Sequence, residues 1–262
     1  MTEQLAIKKI HIDTRFRTVG SKSSSNFSIQ LSTPVRLPPN TVMYVSNICL
    51  PVSWYMIAAG RNNKFYYYKN NNVLSTAIIP DGNYTVDLLA AILTQSFAVS
   101  ATGLFVVTYD IELNIIKITP TGSNTIRLPT DEELIAQGII LPNSINPILQ
   151  NYTNNTMYTN LNPYISNYID LFPIRNVYLQ CQNILTGSDN MLASGEGNII
   201  CAIPINAKYN QLVISDRLIS MDYNTVGNQT INLLKFTLIN IWGEEISLNN
   251  NHFSFSLLFT KL

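Results

Sequence analysis

Phe253-Ser254-Phe255-Ser256-Leu257-Leu258-Phe259-Thr260-Lys261-Leu262 closes the chain, with apolar side chains on 253, 255, 257 and 259 and Ser254, Ser256 and Thr260 on most of the even positions. A period of two describes a β-strand with one face in a core and the other in water. Upstream, Leu234, Phe236 and Leu238 alternate with Lys235 and Thr237, Trp242-Gly243-Glu244-Glu245 interrupts, and Ile246-Ser247-Leu248 resumes. Residues 231–262 thus read as two long strands around a turn. Left unpaired, the uncharged stretch 253–259 would be an aggregation site, so it must close a sheet built earlier.

Candidate partners lie at the other end. Phe27-Ser28-Ile29-Gln30-Leu31 alternates cleanly, and Pro34, Pro38 and Pro39 mark a turn region after it. Residues 41–50 are apolar on both parities, Val42, Tyr44, Ile48 and Leu50 on one and Met43, Val45 and Cys49 on the other, as in a strand covered on both faces. Strand signals resume at 177–181, 199–205 and 212–214. Strands from both ends with no regular helix between them favour an antiparallel double sheet over a parallel one. The expectation is a single jelly-roll β-sandwich, whose first and last strands meet in one sheet, so that 27–31 partners 253–259. An immunoglobulin sandwich would need a Cys and Trp core pattern that this chain lacks.

From about Arg61 the pattern changes. Strand signals at 65–68 and 73–79 precede Val86, Leu89, Leu93 and Phe97, spaced as one face of a helix, with Thr85 as its cap and Asp87 in its first turn. Phe105, Val107 and Tyr109, then Ile116 and Ile118, predict a hairpin. Thr130-Asp131-Glu132-Glu133 is a capping box for a short helix that Gly138 would end. Residues 143–168 show no stable period and read as a long surface loop. The fold class is all-β with a small α/β insertion: a basic N-terminal arm at 1–25, a jelly-roll domain from 26–60 and 142–262, and an inserted α/β subdomain at 61–141.

Sixteen basic and sixteen acidic residues cancel, which removes any strong overall pull toward nucleic acid or an anionic membrane. Only 12% of residues are charged, against a usual ~25%, and thirty-two Asn help to fill the polar places. Such a surface is poorly protected against self-association, which suits a protein that meets other proteins; a coding bias toward Asn, Ile and Tyr would produce the same composition. Cys49, Cys181 and Cys201 are far apart and form no C-x-x-C, so buried thiols in a reducing compartment are expected rather than disulfides or zinc. Neither a secretion signal nor a membrane span is expected. In the arm, Lys8, Lys9, Arg15, Arg17 and Lys22 outnumber Glu3 and Asp13, and Ser21 to Ser25 read as a hinge. With Ile10, Ile12 and Phe16 to bury, the arm could dock on a neighbouring subunit, and Lys8, Lys9, Arg15, Phe16 and Arg17 are its candidate contacts.

Signals for chemistry are weak. His11 and His252 are the two histidines, each expected to face solvent, and neither a G-x-S-x-G elbow nor a phosphate-cradling glycine motif occurs. Asp131 to Glu133 sit where a helix N-terminus favours negative charge, Glu244 and Glu245 in a turn, and Tyr66, Tyr67 and Tyr68 would point to alternate faces of a strand. The expectation is a protein that is not an enzyme, with no catalytic, cofactor-binding or metal-binding residues and no small-molecule substrate. Nucleic acid is not an expected partner, because basic residues cluster only in the arm.

Ile12-Asp13-Thr14-Arg15-Phe16-Arg17-Thr18 with Ser24-Ser25-Asn26-Phe27, Leu50-Pro51-Val52-Ser53-Trp54-Tyr55, Gly82-Asn83-Tyr84-Thr85 with Leu89 and Leu93, Val107-Thr108-Tyr109-Asp110, Ile241-Trp242-Gly243-Glu244-Glu245-Ile246-Ser247-Leu248 and Phe253-Ser254-Phe255 together span most of the chain. They resemble segments of the penton and minor capsid proteins of virophages, polinton-like and adintovirus-type elements and related large DNA viruses. The resemblance implies a single jelly roll, five copies of which plug each fivefold vertex of the icosahedral capsid of a double-stranded DNA virus. The implied neighbours are double jelly-roll major capsid proteins, and the implied location is the virion, assembled inside the host cell. Where that family often has Asp before the Gly of the closing turn, this chain has Asn240 and Trp242. The alternatives are another minor capsid protein, or a receptor- or glycan-binding module using the insertion or the Tyr-rich loop. A third is a β-sandwich hydrolase with His11 and His252 as its acid-base candidates.

Overall fold

The closing strand finds its partner at the opposite end of the chain. In the computed structural model, which describes residues 7–70, 73–101, 105–152, 156–172, 174–184, 191–192, 195–196, 198–215 and 223–262, two compact units are formed, one from Met1–Trp54 with Ile174–Leu262 and one from Tyr55–Pro173. The chain opens with β1 (Lys8–Asp13), β2 (Asn26–Leu37) and β3 (Thr41–Pro51). In the second unit it forms β4 (Lys64–Lys69), β5 (Val73–Ile78), α1 (Val86–Ala101), β6 (Phe105–Asp110), β7 (Ile115–Pro120), β8 (Ile126–Arg127), α2 (Asp131–Ala136), α3 (Asn146–Leu149) and β9 (Tyr164–Ile165). It returns through β10 (Asn176–Cys181), β11 (Met191–Leu192), β12 (Gly195–Glu196), β13 (Ile199–Pro204), β14 (Leu212–Ser215), β15 (Asn224–Thr225), β16 (Gln229–Ile239) and β17 (Ser254–Lys261).

The first unit is an antiparallel jelly-roll sandwich. One sheet runs β1-β17-β3-β14, with β15 also paired to β3, and the other runs β13-β10-β16-β2. Phe253, Phe255, Leu257 and Phe259 are at most 2% exposed, as their spacing predicts. Between the sheets Phe236 meets Phe255 edge-on at 5.1 Å and Phe27 meets Phe253 at 5.7 Å, while Phe236 and Phe27 pair across neighbouring strands of one sheet at 5.3 Å. First and last strands lie side by side, but the first is β1, paired from Lys8↔Phe259 to Asp13↔Ser254. The expected partnership of 27–31 with 253–259 is therefore corrected. β2 sits at the edge of the opposite sheet, and the two segments meet as facing leaves of one core. Likewise β16 and β17 are not neighbours around a turn, because residues 240–253 carry the chain from one sheet to the other.

The arm expected at 1–25 is corrected over its described part; residues 1–6 lie outside the described ones. Residues 8–13 are β1, with Ile12 2% exposed, and Thr14–Phe16 form one 3-10 turn. Two strands also differ from their simple patterns because of bulges. Pro34 does not end β2. Ile231↔Val35 is followed by Leu233↔Gln30, so Pro34 falls in an outlooped stretch of an edge strand, where a missing N–H breaks no ladder. In β3, Ser254↔Cys49 is followed by Ser256↔Ser46, and Asn47 lies there at φ 50. The extra residue switches parity, sending Met43 and then Ile48 and Leu50 into the same core.

In the second unit the sheets β5-β4-β8 and β6-β7-β9 and the helices share their own core. Leu88 N–H donates to the Thr85 hydroxyl at 3.3 Å at the start of α1, Leu89 and Leu93 are fully buried, and the Phe97 side chain lies outside the described ones. α2 has the full Thr130–Glu133 capping box, and Gly138 follows it at φ 91. This unit extends past 61–141, since Ile145, Ile148, Leu149, Tyr158 and Tyr164 are buried in its core. The surface loop expected at 143–168 is thus partly core. Its apolar residues come from the four-residue α3, the two-residue β9 and the stretches around them, elements too short to leave a period to read.

Among the described residues, ten other than glycine have positive φ, and nine of them are Asn. Asn tolerates this left-handed region better than other side chains, so part of the Asn content is turn chemistry. None of the three cysteines is in a disulfide. Cys181 is buried, which pushes its thiol up to about 11, whereas Cys49 and Cys201 are only half-buried.

Candidate assembly surface

The N-terminal candidates occupy two places. Lys8 and Lys9 are exposed at the start of β1, an edge strand on which lysines discourage pairing with other chains. Arg15, Phe16 and Arg17 follow its far end, about 20 Å away at ~3.4 Å per residue. The five do not form one patch. The Arg15 guanidinium forks onto Asp13 at 2.6–3.1 Å, and that hydrogen bonding holds the Asp13 carboxyl below its ordinary range. Arg17 donates to the Thr14 carbonyl at 3.1 Å. Thr14 is fully buried and fixes the turn to β17: its N–H donates to the Phe253 carbonyl, and its hydroxyl accepts from the Phe253 N–H, both at 3.1 Å. Phe16, 80% exposed, and Val19, fully exposed, project from this tightly held segment.

Beside that turn lies a cleft of about 520 Å³ that sequence reasoning missed, walled by residues 17–25 on one side and 245–252 on the other. At its centre Glu245 accepts hydrogen bonds from Lys22 Nζ at 2.6 Å, Ser23 Oγ at 2.8 Å, Asn26 Nδ2 at 3.3 Å and Ser25 Oγ at 3.4 Å. Burial alone would push its carboxyl up, but the bonds from Lys22, Ser23 and Asn26 outweigh this and hold it below the usual range. Glu245 is thus a tether between segments more than 200 residues apart. Because its folded pKa is depressed, its contribution is complete above the unfolded value of 4.5 and disappears as pH falls through the folded one. Glu245→Gln is expected to cost about 1–2 kcal/mol at pH 7 and to flatten the loss of stability on acidification below about pH 4.5. Urea midpoints across pH 3–7 measure both, and parallel wild-type and variant curves would contradict it.

Glu244 and Glu133 are structural as well. Asn240 Oδ1 accepts the N–H groups of Trp242 and Glu244 at 2.9 and 3.0 Å, as an Asp would, and its amide also donates to Glu244 at 2.7 Å. Glu133 completes the α2 cap and pairs with Arg127, whose guanidinium lies 4.1 Å above the Tyr68 ring. His11 and His252 are exposed. His11 Nδ1 is 2.8 Å from Ser256 Oγ, but Ser256 is 1% exposed, so a substrate has no approach to that oxygen. No group of three or more His, Cys, Asp or Glu among the described residues is placed to hold a metal. No helix among them is long and apolar enough to cross a membrane.

This arrangement of strands occurs in a solved viral protein. The crystal structure of the mavirus penton protein matches with a TM-score of 0.55 at 12% identity, covering 98% of this chain and 100% of that one. The fold is that of the mavirus penton protein. A chain of the Sputnik virophage, solved by cryo-electron microscopy, aligns at TM-score 0.46 and 10% identity over 97% of this chain and 98% of that one. No protein-family description and no curated protein matches the sequence.

Proposed function

We propose that this chain is a structural protein of a virus capsid, a penton that forms a homopentamer at the fivefold vertices and contacts a double jelly-roll major capsid protein. One observation carries the reading: the likeness to the mavirus penton protein extends over 98% of this chain and all of that one, so it takes in both compact units and not the sandwich alone. The low charge content and exposed Phe16 and Val19 agree with a surface that meets other proteins. On this reading the protein works in the virion by assembly, without a catalytic step. A ring of five needs a heterologous interface that closes on itself, each contact burying on the order of 1,200–2,000 Å². Of the N-terminal candidates, Phe16 is the best suited to enter such an interface, while Lys8, Lys9 and Arg17 would contribute charge and Arg15 is already paired.

Light scattering and negative-stain microscopy of the purified protein test the reading. Fivefold rings are expected, with five times the 29.4 kDa mass of one chain. A monomer at every concentration that also stays monomeric with major capsid protein would overturn it. A role in glycan or receptor binding retains one specific support: Tyr152 and Tyr168 are more than half exposed, whereas Tyr158 and Tyr164 are buried. A glycan array separates that role from assembly alone.

A further inference from the structure

The cleft at Glu245 has the size and charge of a binding site. Its volume of about 520 Å³ falls within the roughly 300–1,000 Å³ of sites that accept a small ligand. Two fixed cations, Arg17 and Lys22, and one fixed anion, Glu245, line it. Lys22 is engaged by Glu245 at 2.6 Å. Arg17 gives one nitrogen to the Thr14 carbonyl, and no carboxylate among the described residues pairs with it. The cleft therefore holds one uncompensated positive charge on a guanidinium, whose forked donors match a carboxylate. Around it, the side chains of Ser24 and Asn250 have no hydrogen-bond partner among the described residues, which leaves two more groups able to donate.

We propose that this cleft binds a single carboxylate presented by an acidic protein segment, with Arg17 as its anchor and Ser24 and Asn250 as supporting donors. The charge count decides the class. A monoanion neutralises the surplus, whereas a phosphate dianion would overshoot it and face Glu245 across the same cleft. Nucleic acid draws its affinity from many basic contacts along its backbone, and one unpaired cation does not supply them. The site goes beyond the assembly reading, and its test runs on the protein as purified.

Saturation-transfer NMR at low ionic strength can compare acetyl-Gly-Glu-Gly-amide with its Gln counterpart, inorganic phosphate and an oligothymidylate. The Glu peptide is expected to saturate at millimolar concentration and to bind at least about tenfold more tightly than the other three, a gap of about 1.4 kcal/mol. Arg17→Gln is expected to lose at least that factor, with Arg17→Lys recovering part of it. Ser247→Glu, at an exposed position on the cleft wall, is expected to abolish binding by adding a second carboxylate, and it leaves the Arg17–Thr14 contact intact should Arg17→Gln fold poorly. Equal binding of the Glu and Gln peptides, full binding by either Arg17→Gln or Ser247→Glu, or tighter binding of phosphate or the oligonucleotide would overturn the proposal.

Discussion

Removal of residues 1–13 is expected to make the protein largely insoluble, or to lower its unfolding free energy by about 5 kcal/mol or more. The size follows from what β1 does. Its six residues pair with β17, and each backbone hydrogen bond contributes on the order of 1 kcal/mol. Ile12, 2% exposed, is lost from the core, which by analogy with truncating a buried aliphatic side chain costs about 2–5 kcal/mol. A typical domain has only about 5–15 kcal/mol in total. The bared strand would be β17, which carries no charge before Lys261 and so becomes an unguarded edge. Soluble yield and urea midpoint, with and without 1–13, give the answer. A truncated chain as soluble and as stable as the full one would show that the segment behaves as a detachable arm. Ile12→Asp in the full chain is expected to act in the same direction.

That arm illustrates where the sequence stops being informative. Alternation in 253–259 shows which side of the strand is dry, because every second residue is apolar, but it says nothing about which strand lies alongside. Lys8 and Lys9 suggest a free basic tail, although an edge strand uses lysines in the same way. Ser21 to Ser25 look like a hinge, yet Ser28 N–H donates to Ser21 Oγ at 3.1 Å, Asn26 N–H donates to Ser23 Oγ at 2.9 Å, and Ser23 reaches Glu245. Local signals transferred well. The caps at Thr85 and Thr130 were legible because a cap involves residues three or four apart. The bulge at Asn47 was not, since one residue in the left-handed region mimics a strand that is apolar on both faces. The cleft was illegible for the same reason as the sheet partners: its two walls are more than 200 residues apart, and no spacing rule joins them.

Phe236→Ala is expected to destabilise the first unit by about 3–5 kcal/mol, whereas Phe16→Ala changes the stability of the isolated chain by less than about 0.5 kcal/mol. The chemical change is the same and only the surroundings differ. Phe236 is 1% exposed on β16, which has a neighbour on both sides, and its ring packs against Phe27 and Phe255 from the two facing sheets. Removing it leaves a cavity between walls held by hydrogen-bonded ladders, which cannot collapse to fill it, and forfeits two ring contacts of about 0.5–1.5 kcal/mol each. Phe16 is 80% exposed, so its truncation returns almost no surface to water. Both tryptophans, Trp54 and Trp242, belong to the first unit, so their fluorescence during urea unfolding follows that unit without a contribution from the other. On the proposed assembly reading the contrast inverts: Phe16→Ala, nearly silent in the isolated chain, is expected to weaken subunit association. Equal urea shifts for the two variants would mean that Phe236 does not pack between the sheets.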